Sequence, residues 1–470
     1  MLLKFTIDIF NANLEKMYIG AALMLKLNKF KRGGVHPKSN KNITFEMPIE
    51  NAIVPRIAKI SLLQHIGAPA TCLVKKDDLV EEGQLIGKAE GFISANIHTP
   101  ISGKVVDIKR DWTPMGSLAE TVHIAFEGTI AQKFVKTHDY SSMSVEELKT
   151  AVLEAGIVGL GGAMFPTHVK LSPPPDKKIE YLIINGVECE PYLTADYRLM
   201  IEKRDEIIQG IKIAKKITGA KKVLIGIEND KMDAAFHFDE ALKDEEDFEV
   251  APVKVRYPQG GEKQLIEALL DTEVPAGKIP LDINLVVMNV GTAFSIYEAI
   301  VLKKPLIERV VTITGSIVEK PGNYKVRIGS LISKLLEDIG LTKPAAKIIL
   351  GGPMMGGAIM NTDVPVIKGT SGILVLSKKE AKKFADYHCI HCGMCVDACP
   401  IGLMPHDLIE NLYSNKYEEA VENGLMHCIE CGSCAYVCPA KIHLVQYFKA
   451  GKLWHKNKVA YTHDKTPKIR

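Results

Sequence analysis

CIHCGMCVDACP at residues 389–400 is followed by CIECGSCAYVCP at 428–439, one cysteine spacing written twice. Eight of the ten cysteines stand in these two phrases, and Cys72 and Cys189 stand alone. Clustered thiols with no signal peptide pattern before them point to metal ligation in a reducing compartment, not to a disulfide frame. The repeat therefore predicts a small helical unit at the C-terminal end, folded around inorganic centres.

Cys-x2-Cys-x2-Cys-x3-Cys-Pro is the spacing of bacterial ferredoxins, in which three thiolates hold one [4Fe–4S] cube and the fourth reaches the other. The pairing expected is Cys389, Cys392, Cys395 and Cys438 on one cluster, with Cys428, Cys431, Cys434 and Cys399 on the second. Pro400 and Pro439 turn the chain after each fourth cysteine, and Gly393 and Gly432 let backbone approach sulfide closely. Structural zinc is the competing reading, but a zinc site closes with four ligands and has no use for crossed doubling. His388, His391 and His427 flank the phrases and are expected to tune potential by hydrogen bonding. Linked clusters pass single electrons and do no hydride chemistry, so another part of the chain must start or finish the circuit.

The length of 470 residues implies about three domains. Apolar content of 46% and charge of 24% describe a globular protein, neither disordered nor fibrous. A formal net charge of +3 gives no sign of a nucleic-acid partner. The apolar run Met17–Leu25 is too short to span a membrane, and Met24 is a candidate translation start. Residues 451–470 carry an excess of lysine and read as a basic, solvated tail, with anionic lipid or an acidic partner as the alternative.

Six segments are expected: an N-terminal extension (1–28), a β barrel (29–135), an α/β domain (136–305), a small α+β unit (306–376), the cysteine domain (377–450) and the tail (451–470). VKKDDLVEEGQLIGKAEGFISANIHTPISGKVVDI (74–108) has short β-branched runs split by turn residues. It resembles lipoyl and biotinyl carrier domains, whose modified lysine would fall at Phe92, so no swinging arm is expected. SVEELKTAVLEAG (144–156) reads as a helix capped by Ser144 and Glu147. Strands at 181–186, 221–228, 248–258 and 284–291 alternate with helices near 202–217, 231–243, 262–270 and 293–302, which implies a parallel sheet covered on both faces. Residues 309–341 read as a hairpin turning at 319–322 and a short helix from Ser330, in the manner of a β-grasp. A charged helix (377–387) and two short helices within 403–427 complete the expectation.

GLGGAMFPTHVK (159–170) is glycine-rich, suited to close backbone approach to a flat or phosphorylated ligand. NGVECEP (185–191), YPQGGEKQ (257–264) and MNVGTA (288–293) each follow the carboxyl end of an expected strand, where open parallel sheets bind ligands. These four segments resemble the nucleotide loop and FMN-binding segments of the flavin-carrying, NADH-oxidising subunit of respiratory complex I. With the barrel before them and the doubled ferredoxin tail after them, the chain resembles the C subunit of Rnf-type electron transport complexes from about Lys29 to residue 450. The fold this implies is multidomain α/β: a lipoyl/biotinyl-like barrel-sandwich, a Rossmann-like FMN domain, a β-grasp (soluble-ligand-binding) unit and a two-cluster ferredoxin-like helical domain.

The resemblance implies FMN held by Gly161, Gly162, Lys170, Asn185, Glu188, Tyr257, Gly261, Glu262, Asn289 and Thr292. Lys170 suits a phosphate or the reduced ring's charge, and Asn185 and Asn289 suit the ring edge or ribityl chain. Glu188 or Glu190 would place the ribose of NADH or cap a helix. Leu160, Met164 and Val187 depart from the complex I pattern and bear on the nicotinamide contacts. Cys189, between two glutamates, is expected to be a packed thiol whose thiolate like charge disfavours. The implied activity is electron exchange between NAD(H) and ferredoxin through FMN and two [4Fe–4S] clusters, with no catalytic side chain beyond the flavin. Partner subunits, some of them integral to the membrane, would couple it to ion translocation. The chain would sit peripherally on the cytoplasmic side of the cell membrane, reaching ferredoxin through another subunit. A cobalamin reductase subunit and a non-catalytic electron-relay scaffold are the alternatives.

Overall fold

The computed structural model describes residues 27–128, 133–381 and 387–464, with side chains as far as 458. Met17–Leu25 and Met24 lie outside the described residues. No described helix is long and apolar enough to cross a membrane.

The middle of the chain builds a four-stranded parallel sheet. Its spatial order is Phe248–Val253, Lys222–Glu228, Tyr181–Gly186, Leu285–Asn289. Alternate residues serve opposite faces, as the two-residue period of a strand requires. Leu182 and Ile184 face the helices Val145–Glu154, Arg204–Thr218 and Val290–Val301, while Ile183 joins Leu265 and Ile266 of the helix Glu262–Leu270. Both faces are covered, which is why the strands read as unbroken apolar runs. The capping box of Ser144 and Glu147 is present. A helix that the sequence pattern did not separate, Ala195–Glu202, precedes Arg204–Thr218. Gly210 lets two helices meet: a Cβ there would lie 1.9 Å from the Ala293 carbonyl oxygen. Strand order reverses between Tyr181–Gly186 and Leu285–Asn289, so a crevice opens at their carboxyl ends.

The barrel is two small antiparallel sheets closed over Ile60, Leu62, Ile86, Ile97, Val105 and Ile124. Phe92, at the carriers' lysine position, is 70% exposed. The α+β unit is a six-stranded mixed sheet in which Glu308–Thr314 and Gly322–Arg327 form the expected hairpin, with the helix Ile332–Ile339 packed on it.

Residues 28–51 make no barrel strand. They run as a strap across the other modules. Asn28 bridges Val253, Val35 bridges Tyr257, and Ile49–Asn51 adds in parallel to Gly322–Arg327. The Gly34 N–H donates to the Ala398 carbonyl in the cysteine module (2.9 Å).

Pro405–Tyr413 and Tyr417–Glu422 are the two helices between the cysteine phrases. The basic stretch beginning at 451 differs from the frayed tail expected. It continues the helix Leu444–Asp464, stacking Trp454 on Tyr417 at 4.4 Å and pairing Lys452 with Glu430 and Lys458 with Glu418. Acidic partners on the helix Tyr417–Glu422 and in the second cysteine phrase give it order that its own composition does not. Of the charged helix expected at 377–387, the described part is a turn, in which the Ser377 N–H and hydroxyl both donate to Glu380. Residues 382–386 lie outside the described residues.

Three modules meet at Lys368, which is 1% exposed. Its ammonium donates to the carbonyls of Asn96 in the barrel and Gly156 in the α/β domain, each at 2.7 Å. Its own carbonyl accepts from the Arg309 guanidinium (2.5 Å). Burial alone brings the Lys368 pKa down to about 7.

Candidate functional site

At the crevice, Asn185 and Asn289 are register partners on the two strands where the order reverses. Each is fixed by its own loop. Asn185 Nδ2 donates to the Gly260 carbonyl (2.9 Å), and its Oδ1 accepts from the Val187 N–H (3.0 Å). Asn289 caps the helix Val290–Val301 by accepting from the Gly291 N–H (2.8 Å), and its Nδ2 donates to Asp196 (2.7 Å). Asp196 had no local signal; burial raises its pKa.

The glycine-rich loop closes one wall. A Cβ on Gly161 would lie 3.3 Å from that of Asn289, and Gly162 has φ +106° with nothing within 4 Å. The Thr292 hydroxyl holds the loop by accepting from the Leu160 N–H (3.0 Å). Lys170 reaches Glu262 and the Val287 carbonyl, both at 3.0 Å. Gly261 starts the helix Glu262–Leu270 without a side-chain cap, so its first N–H groups are open to an anion. The buried Thr167 hydroxyl has no protein partner. These residues fit a flavin nucleotide: uncapped amides and a lysine for phosphate, paired amides for the ring edge.

Two expected contacts sit elsewhere. Glu188 is turned inward, accepting from the Asp196 N–H (3.1 Å), so it caps the helix Ala195–Glu202. Burial, opposed by Lys41, pushes its carboxyl up to about 7. Tyr257 is fully buried, and its hydroxyl donates to the Cys431 carbonyl at 2.7 Å. Glu190 is committed to the N–H groups of Met354 and Met355 (3.1 and 2.8 Å). Cys189 is a packed thiol, accepting from the Gly260 N–H (3.3 Å). Burial comes before the neighbouring acids in raising its pKa.

The other eight cysteines surround two separate cavities. Cys389, Cys392, Cys395 and Cys438 line one, with His406, Ile409 and Ile442 among its walls. Cys399, Cys428, Cys431 and Cys434 line the other, with Leu408, Val445 and Phe448. Both phrases fold alike. His391 and Glu430 take φ +52° and +58°, Gly393 and Gly432 φ +76° and +81°. The N–H groups of His391 and Glu430 donate to Cys389 and Cys428 sulfur at 3.4 Å. For His391 the amide makes the sulfur bond, while the imidazole faces Glu410 (3.4 Å). His406, which the sequence reading did not single out, lines the first cavity together with His391.

Burial pushes the Cys428 thiol up to about 11 and raises Cys395 and Cys434 as well. Thiolates there need cationic metal beside them. Among the described residues no three His, Cys, Asp or Glu side chains converge on a single ion. Four thiols around each cavity fit the ligand set of an iron–sulfur cube.

The second cavity abuts the crevice. Val35, Tyr257, Ala398 and Cys431 form one small core with Cys189 and Met354 against it. The first cavity lies outward, with Cys392 exposed.

Four family models match the chain in order: an RnfC barrel sandwich hybrid domain over residues 29–129, the Nuo51 FMN-binding domain over 152–298, an SLBB domain over 310–358 and a 4Fe-4S dicluster domain over 388–442. The chain is 43% identical to the C subunit of the Na(+)-translocating ferredoxin:NAD(+) oxidoreductase complex of Acetobacterium woodii, covering 90% of this chain and 96% of that one. It is 45% identical to the proton-translocating counterpart of Clostridium ljungdahlii, over 89% and 92%. An NAD+-reducing [NiFe]-hydrogenase structure is similar in fold, with TM-score 0.50, 17% identity and coverage of 66% of this chain and 64% of that one.

Proposed function

Because the chain belongs to the family of C subunits of ion-translocating ferredoxin:NAD(+) oxidoreductase complexes of the Rnf type, we propose that it exchanges hydride with NAD(H) at the crevice and passes single electrons through its two thiol cavities. It is an oxidoreductase subunit carrying an FMN-binding domain and a 4Fe–4S dicluster domain. FMN, when bound, supplies the conversion between a hydride and single electrons, which clusters alone do not perform.

This chain's residues divide the work. Gly161, Gly162, Lys170 and Gly261 bind the phosphate end, Glu262 positions Lys170, and Asn185, Asn289 and Thr292 orient the ring edge. Tyr257 and Glu188 support the site from behind without touching the ligand. Cys399, Cys428, Cys431 and Cys434 hold the cluster nearer the flavin. Cys389, Cys392, Cys395 and Cys438 hold the outer one, which meets the redox partner. The observation carrying this order is the Tyr257–Cys431 hydrogen bond, which ties a flavin-side loop directly to one cluster shell. With no membrane-crossing helix among the described residues, attachment to the membrane and ion movement fall to partner subunits.

The test is anaerobic reconstitution of the full chain with iron, sulfide and FMN. The expected product retains flavin, and NADH bleaches its cluster absorbance. Lys170→Ala with Asn185→Ala loses the flavin and the NADH bleaching, while dithionite still bleaches the clusters. Wild-type chain that never retains FMN refutes the reading.

A further inference from the structure

Reducing NAD+ to NADH takes two electrons and one proton. The two cysteine cavities carry electrons alone, so each hydride made at the crevice draws its proton from solvent by a separate way. A nicotinamide lying over the flavin covers the open side of the crevice and keeps water from it. We propose that this proton enters from behind, along the seam between the helix Val290–Val301 and the six-stranded sheet, with Asp196 as the last carboxyl on its route. The inference rests on the functional reading above and adds the path of the proton.

One face of the helix lines the seam. Gly291, Ser295 and Glu298 recur at the spacing that brings helical residues to one side, which sets Glu298 about 10 Å along the axis from Gly291. Opposite them lie Glu308 and Arg309 of one strand and Lys325 of its neighbour. These groups and Asp196 enclose a cavity of about 20 Å³, room for one water among polar partners.

The inner end meets the flavin site. The Asp196 carboxylate accepts from Asn289 Nδ2 at 2.7 Å. A Cβ on Gly291 would lie 3.1 Å from Asn289 Oδ1 and 3.6 Å from Asp196 Oδ1, so glycine keeps the space between seam and crevice clear. The Ser295 hydroxyl donates to the Gly291 carbonyl (3.0 Å) and keeps lone pairs for a water. At the outer end Lys304 joins Glu298 (2.5 Å) and Glu308 (2.6 Å), and the Lys325 side chain, 43% exposed, reaches Glu308 at 3.6 Å.

Burial raises the Asp196 pKa against Asn289, Arg309, Lys41 and Lys231, with Glu188 as the neighbouring acid. It raises Glu298 as well, against Lys304 and Lys325, with Glu308 beside it. Carboxyls so placed exchange protons nearer neutrality than free ones do. In each cycle Asp196 gives its proton toward the crevice and regains one from Glu298 through the cavity. NAD+, two electrons and one solvent proton thus become NADH.

The experiment uses the full chain reconstituted with FMN and iron–sulfur clusters. Asp196→Asn is expected to slow continuous NAD+ reduction by reduced methyl viologen about 100-fold, with formate restoring the rate and FMN content unchanged. A single turnover from chain reduced beforehand, which needs no new proton, is expected to keep its rate. The reduced-minus-oxidised infrared spectrum of the wild type is expected to show a protonated-carboxyl band that Asp196→Asn lacks. Glu298→Gln, remote from the crevice, is expected to slow continuous reduction at least about tenfold. Continuous rates within twofold of wild type in either variant overturn the inference, as does an equal slowing of continuous and single turnover that formate leaves unchanged; the flavin reading survives both. Should Asp196→Asn lose its flavin, the Glu298→Gln rate decides. Wild-type chain that never retains FMN sinks both readings.

Discussion

Replacing Lys368 by methionine isolates the cost of a charge at a junction. Folded Lys368 titrates at about 7, against 10.5 for a free lysine. Below pH 7 both states hold the proton, and the full penalty of about 5 kcal/mol is felt. Between pH 7 and 10.5 the unfolded chain binds a proton that the folded one has lost. Stability therefore rises with pH across that window, by up to about 1.4 kcal/mol per unit. Methionine removes the penalty but leaves the Asn96 and Gly156 carbonyls without their donor, at roughly 1–3 kcal/mol each. The two proteins thus differ little at neutral pH. From pH 7.5 to 9.5 the wild type gains about 2.5 kcal/mol on Lys368→Met. Burial drops His65 to about 4 and His98 to about 3, so neither contributes to that slope. Hydrogen exchange at residues 94–98 and 154–158, corrected for intrinsic rates, reads the local opening free energy. A wild-type minus variant difference that stays flat over those two pH units refutes the reasoning.

Gly210→Ala is expected to cost about 1–3 kcal/mol by forcing apart Arg204–Thr218 and Val290–Val301, measured as a lowered melting temperature with FMN content as a second readout. Tyr257→Phe leaves the buried Cys431 carbonyl unpaired and is expected to cost about 1–3 kcal/mol, seen in the melt and as a shifted potential of the cluster nearer the flavin. Cys438→Ala and Cys392→Ala are expected to abolish the same cluster's paramagnetic signal and spare the other. Loss of different signals in the two variants rules out the crossed pairing.

Much of the architecture was legible because it is local. The parallel strands announce themselves by apolar runs between helical patterns, and Ser144 with Glu147 fixes a helix start within four residues. The cysteine phrases were readable since thiol spacing is set by the size of what the thiols enclose. What sequence hides is the partner far along the chain. Asp196 acquires its meaning from Asn289 and Arg309, and Lys41 from Glu188 and the Leu193 carbonyl. Lys368 is unremarkable until the fold buries it. Glu188 shows the limit from the other side. Its motif placed it near the ligand, while its side chain turned to a helix N-terminus that no pattern had separated. The lysine-rich end looked solvated because its acidic partners, Glu418 and Glu430, lie on other elements.

The strap of residues 28–51 sets the order in which the molecule is completed. It leaves the ribosome before almost everything it touches, yet its hydrogen bonds go to Tyr257, to strand 322–327 and to Ala398. The clasp between flavin module and metal module therefore cannot fasten until the second module has been synthesised. Until then the face that will bury Cys399 and Cys431 stays open.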